Sequence, residues 1–167
     1  MANTKTPRSG RLADQFEAAL ESFIRVIESM TNDQWRMRGK NTPGQRINDE
    51  DEARPLGVIA HHVAVSQNVI MGRIQQVLHD QPTPPLDNKQ INAKHANEYA
   101  DTTKSEVLTL LRNSGQQIVK DLRAIPDEKL DMARELPSGK MTVEQRIERV
   151  LIGHITGHQG SIEVTIA

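Results

Sequence analysis

The chain of 167 residues contains no cysteine. That excludes disulfides, a cysteine nucleophile and thiolate ligands, so nitrogen and oxygen would have to hold any metal. Aromatic side chains are almost missing as well. Phe16, Phe23, Trp35 and Tyr99 make up 2% of the chain, too few and too scattered for the stacking platform that grips single-stranded nucleic acid. Neither sign of charge dominates, with 21 Lys and Arg against 22 Asp and Glu for a net −1. The basic footprint of a nucleic-acid binder is therefore absent. No apolar run approaches the roughly 20 residues of a membrane span. The opening MANTKTPRSGR lacks the apolar core of a secretion signal. These absences predict a cytoplasmic protein with neither nucleic acid nor membrane as a partner.

What is present is a globular composition, 36% hydrophobic and 26% charged, and a length suited to a single domain over 1–167. The eight prolines fall outside the periodic segments and leave room for four helices. The first is expected over residues 9–30, with Leu12, Phe16, Leu20, Phe23, Ile27 and Met30 on one stripe. The second starts near Pro55, after the acidic residues 49–52, and runs to about His79. The third opens on a capping box of Thr103 and Glu106, and carries Val107, Leu111, Ser114, Ile118, Leu122 and Ile125. The fourth opens on a second box, Thr142 and Gln145, and runs close to the C-terminus. No strand-like alternation competes. Residues 31–54 and 80–102 form long connections, the second stiffened by Pro82-Thr83-Pro84-Pro85. Plain up-down bundles use short loops, so the expected fold is an all-α four-helix bundle in up-down-down-up order with long crossover connections. Residues 88–100 can add a short extra helix.

Histidines carry the chemical signal. His154 and His158 lie four residues apart in His154-Ile155-Thr156-Gly157-His158, so on a helix they share one face and one metal ion can bridge them. On a wheel with Ile147 as origin they fall near about −20° and +20°, at the centre of the apolar stripe. On the second helix, Ile59, Val63, Ile70, Ile74 and Val77 form the stripe, widened by Val58, Val65 and Val69. His62 falls inside that arc, and His61 falls outside it, toward solvent. His62 lies roughly 10 Å into its helix and His158 roughly 13 Å from the chain end. These depths match if the two helices are antiparallel. A lone inward histidine is more often a hydrogen-bonded core residue than a ligand. Three at matched depth, two of them sharing a face, point to a three-histidine metal site of His62, His154 and His158 with open positions for water or substrate.

The other candidates are weaker. Ser66, one turn after His62, is a pocket-lining candidate or a small packing residue. His79 and His95 fall near the expected loops and are read as solvated. Arg73 can snorkel, pair with an acid or meet an anionic substrate, the first being its default. Trp35 has core packing at the bundle end as its default. Ile155 stands where a zincin carries its glutamate base, so that protease mechanism is unsupported. No Glu-x-x-His occurs at His62, His154 or His158, which argues against a ferritin-like di-iron centre. A phosphate-binding glycine loop and a Gly-x-Ser-x-Gly elbow are also missing from the sequence.

Over nearly its whole length the chain resembles the DinB/YfiT-like superfamily of bacterial metalloproteins. The likeness is carried by Thr31-Asn32-Asp33-Gln34-Trp35, by Leu56-Gly57-Val58-Ile59-Ala60-His61-His62-Val63-Ala64-Val65-Ser66, and by the segment with His154 and His158. The resemblance implies His62 as first ligand and His154 and His158 as the other two, an up-down-down-up bundle, frequent homodimers, and nickel, zinc or a similar divalent ion. Activities in such proteins include thiol-dependent S-transfer, thiol-dependent isomerisation and metal-assisted hydrolysis. The expectation is thus a metal-dependent enzyme of S-transferase or hydrolase type acting on a small-molecule substrate. A three-histidine ion lowers the pKa of bound water, or holds and deprotonates a thiol. Without cysteine, that thiol must be an external low-molecular-weight one. No inward carboxylate stands out as a catalytic base. The alternative is a non-catalytic metal-binding or stress-response bundle.

Overall fold

The structure is a computed structural model that describes residues 7–40, 54–137 and 139–167. The acidic residues 49–52, read above as the lead-in to the second helix, lie outside the described residues.

Helix α1 spans Arg8–Ser29, and its stripe of Leu12, Phe16, Leu20, Phe23 and Ile27 is buried as the spacing predicts. Pro7 has no side chain to cap the helix. The exposed amides are met from across the chain instead, where Asp127 accepts from the Arg8 N–H at 2.9 Å and the Ser9 N–H at 3.1 Å. A short helix α2, Asn32–Arg36, opens on a capping box of Thr31 and Gln34. Helix α3 covers Leu56–Leu78, and α4 covers Asn88–Glu98, the short extra helix. Helix α5, Lys104–Arg123, begins on the expected Thr103 and Glu106 box and buries Val107, Leu111, Ile118 and Leu122. A 3-10 turn over Asp127–Asp131 follows.

The last helix, α6, is continuous over 143–166, and Thr142 with Gln145 forms its capping box. Its winding changes along the way: α over Val143–Arg146, π over Ile147–Ile152 and α again over Gly153–Ile166. The reason is readable in the spacing. Val143, Ile147, Leu151 and Ile155 are all buried and recur every four residues. In a pure α-helix that spacing drifts by about 40° per step, or about 120° over three steps. A π turn holds one extra residue and takes out about 100°, so all four side chains stay on the core.

Side-chain contacts fix the directions. Arg11 of α1 pairs with Glu144 at 2.6 Å, and Gln159 reaches Ser22 at 3.0 Å, so α1 and α6 run parallel. Arg123 pairs with Asp14 at 2.7 Å, and Lys104 donates to the Met30 carbonyl, so α5 runs against α1. The C-terminal end of α3 lies beside the start of the last segment, with Lys129 reaching the Leu78 carbonyl at 3.4 Å and Arg134 pairing with Asp80 at 2.6 Å. Helix α3 therefore opposes α6. The order is up-down-down-up, and the described residues are all-α apart from one small hairpin.

That hairpin was not expected. Strands β1 (Ala133–Leu136) and β2 (Gly139–Thr142) pair antiparallel, Ala133 opposite Thr142 and Leu136 opposite Gly139. Gly139 has φ of 100°, a backbone conformation natural to glycine. Four-residue strands are too short to leave an alternation in sequence. The hairpin is held from α6 by Arg146, which donates to the Arg134 and Gly139 carbonyls at 2.8 and 3.2 Å.

Candidate metal centre

Antiparallel packing of α3 on α6 brings together the three histidines singled out in the sequence. One ring nitrogen from each of His62, His154 and His158 lies within 4.8 Å of the others. His62 Nε2 is 3.1 Å from His154 Nε2. Ring centroids are 5.0 Å apart for His62 and His154, 5.2 Å for His62 and His158, and 4.5 Å for His154 and His158. Among the described residues no carboxylate joins this group. Ser66 stands one turn along α3, its Oγ 3.3 Å from His62 Nδ1 and 3.4 Å from Nε2.

The wheel put His154 and His158 at the centre of the apolar stripe. The π turn corrects that placement. With Ile155 rotated onto the core, the two imidazoles move toward the flank that faces α3. His158 is buried and His154 only half-buried. His62 is also half-buried, at the edge of its own helix face. Two of the three rings thus stand between core and solvent.

Burial pushes the His62 imidazole well below its ordinary pKa, and the neighbouring His154, His158 and Arg54 push it further. Burial likewise takes His154 down to about 3, with help from His158 and Arg54. Both rings are therefore neutral at physiological pH, the form in which imidazole binds metal. Two nitrogens bound to one ion at about 2.0–2.1 Å are about 2.8–3.4 Å apart at octahedral or tetrahedral angles. The 3.1 Å approach of His62 and His154 suits that range. His154 Nδ1 is buried and has no hydrogen-bond partner among the described residues. Neutral imidazoles whose Nε2 atoms face each other offer lone pairs to a shared cation, so the donor set fits a divalent ion.

Other polar residues depart from the expectations. His61, read as facing solvent, is only 4% exposed. The buried face of α3 includes Gly57, Ala60, His61, Ala64, Gln67 and Met71, whereas Val69 is 52% exposed. Ile59, Val63, Ile74 and Val77 are buried as the stripe predicts, but the Val65 and Val69 flank is not; small residues take its place where neighbouring helices come close. His95, read as a solvated loop residue, is buried on α4. Its Nε2 lies 2.8 Å from His61 Nδ1, and Tyr99 stacks on His61 with centroids 4.0 Å apart. Burial drives His95 down to about 4, assisted by His61 and Arg54. Arg54, just before α3, is buried and close enough for its charge to bear on His62, His154 and His95. No periodicity could single it out, since it precedes the helix. Arg73 donates to the Pro84 carbonyl at 2.9 Å and so ties down the proline segment. His79 is exposed, as expected. Trp35 packs on α3 at the bundle end and donates its indole N–H to the Thr102 carbonyl at 3.0 Å.

No helix among the described residues is long and apolar enough to cross a membrane. No curated protein matches the chain. A family profile described as the DinB superfamily matches residues 15–162. With a three-histidine group between the second and last long helices of an up-down-down-up bundle, and a profile match over most of its length, the chain belongs to the DinB superfamily.

Proposed function

We propose that the protein is a divalent-metal-dependent enzyme. In this reading His62, His154 and His158 hold one ion, and a small-molecule substrate reacts beside it. One observation carries the reading: three imidazoles from two facing helices converge within 4.8 Å, with no carboxylate among them. Imidazole donors suit nickel or zinc, and neutral ligands leave the ion its full positive charge. When bound, such an ion acidifies a coordinated water or thiol and polarises an electrophile. The reaction is thiol-dependent S-transfer or hydrolysis. Because the chain has no cysteine, the thiol is an external low-molecular-weight one.

The chain's own groups have defined parts. His62 and His154 bind through neutral rings. Ser66 orients the His62 ring through its hydroxyl. Arg54 adds a buried positive charge that favours anionic molecules in the site. Helix α4 keeps bulk water from one side of α3. We further propose a cytoplasmic homodimer, as the likeness to the family implies.

Elemental analysis of untagged protein tests the reading. The expected result is about one divalent ion per chain, lost in both His62→Ala and His158→Ala. No ion in the wild type after reconstitution would remove the chemical basis of the enzyme. An ion that is bound, but whose cobalt(II) spectrum does not respond to any added thiol or anion, would leave a non-catalytic metal-binding bundle.

A further inference from the structure

Helix α4 is held to the bundle in an uncommon way. Within Asn88–Glu98 only His95 is buried, at 8% exposure, while Ile91 remains 48% exposed. A surface helix usually buries a stripe that recurs every three or four residues. Here the one buried side chain is an imidazole. Its Nε2 meets His61 Nδ1 at 2.8 Å, and its ring stands edge-on to His62, with centroids 5.7 Å apart and planes at 76°. His95 is thus wedged between His61 and the three-histidine group. Its Nδ1 is buried and has no hydrogen-bond partner among the described residues. Buried polar atoms are nearly always matched, so this atom calls for a partner beyond the described residues.

We propose that His95 contacts the molecule bound at the three-histidine group: its Nε2 is committed to His61, and its Nδ1 hydrogen-bonds a small anion held there. The inference rests on the reading of His62, His154 and His158 as a metal site. The two imidazoles share a single proton across their 2.8 Å contact. If His61 donates it, His95 carries its own proton on Nδ1 and becomes a neutral donor. An anion selects that arrangement, because it accepts the hydrogen bond that the neutral donor offers. The recognised chemistry is a thiolate, carboxylate or similar group whose coordinating atom, or the atom beside it, accepts one hydrogen bond. His95 is then a specificity residue carried on the short helix α4.

The test uses the full chain loaded with cobalt(II) and titrated with azide, read by visible absorption. His95→Phe keeps an aromatic ring at the position and loses both nitrogens. Tyr99→Leu loosens the stack on His61 but keeps the His95 nitrogens. The expected result is one cobalt per chain in all three proteins, azide weakened at least about tenfold in His95→Phe, and little change in Tyr99→Leu. Equal azide affinity in wild type and His95→Phe would overturn the inference and leave the metal site standing. Equal weakening in both variants would also overturn it, since the effect would then be the seating of α4. Failure of the wild type to take up cobalt would overturn the metal site and this inference together.

Discussion

The imidazoles of His62, His95 and His154 are taken out of water beside other cationic or potentially cationic groups, so their protonation is disfavoured by burial first and by charge second. His95 falls to about 4 and His154 to about 3, against about 6.5 in an unfolded chain. Between those values the unfolded state binds more protons than the folded one. Stability of the metal-free protein is therefore complete above about pH 6.5 and declines as pH falls toward 4, where the His95 contribution is exhausted. Urea midpoints of metal-free protein at pH 7.5 and pH 5 check this. A lower midpoint at pH 5 is expected, with a smaller drop in His95→Phe. An unchanged midpoint would mean that the rings do not stay neutral in the fold. The same depression keeps the site able to bind metal under mildly acidic conditions, because protons compete poorly for these nitrogens.

At the scale of elements, close approaches set the cost of small changes. A methyl group on Gly57 would lie 2.4 to 2.9 Å from three atoms of the Trp35 indole, and one on Gly115 would lie 2.1 Å from Leu20 Cδ2. The indole is rigid and anchored by its bond to Thr102, whereas leucine can change rotamer. Gly57→Ala should cost about 2–3 kcal/mol as an overpacking defect. Gly115→Ala should cost less, because alanine returns up to about 1 kcal/mol of helix propensity. Chemical denaturation of the two variants gives the order, and a larger loss at Gly115 would contradict it. The π turn makes a second prediction. Deleting the exposed Arg149 removes the extra residue, and a continuous α-helix then carries Val143, Ile147, Leu151 and Ile155 within about 60° of one another. The variant is expected to stay within about 1 kcal/mol of wild type and to keep its bound metal. A large loss of stability together with loss of metal would show that the π winding itself, and not the facing of these side chains, is required.

These elements also show what a sequence can disclose. The stripe from Leu12 to Ile27, the boxes at Thr103 and Thr142, and the matched depths of His62 and His158 are local patterns, and local patterns survive in a one-dimensional reading. The burial of His61 and His95 is a tertiary fact, because it depends on where α4 comes to rest. The hairpin over Ala133–Leu136 and Gly139–Thr142 was too short to register. The π turn did leave a trace, in the unbroken four-residue spacing of Val143, Ile147, Leu151 and Ile155. A wheel at constant 100° passes over it.

In the whole molecule, the start of α1 is tied to segments more than a hundred residues away. Arg8 pairs with Asp131 at 2.8 Å and with Glu144, and Asp127 receives two amides from α1. Those amide bonds, the Arg8 one foremost, hold the Asp127 carboxyl below its ordinary pKa. Its contribution is present at neutral pH and lost as pH falls through the folded value. Asp127→Asn should lower the thermal midpoint at pH 7 and narrow the difference between pH 7 and pH 3. An identical pH profile in the variant would rule out this tie as a source of acid sensitivity.

The approach of His62 to His154 spans 92 positions of the chain. In a protein without cysteine, an ion between these two helices would act as a removable cross-link that closes a very long loop. Whatever binds only the folded chain raises its stability with the logarithm of its free concentration. The melting temperature would then behave as a gauge of ambient divalent metal, climbing steadily with supply and falling back when a chelator takes the ion away.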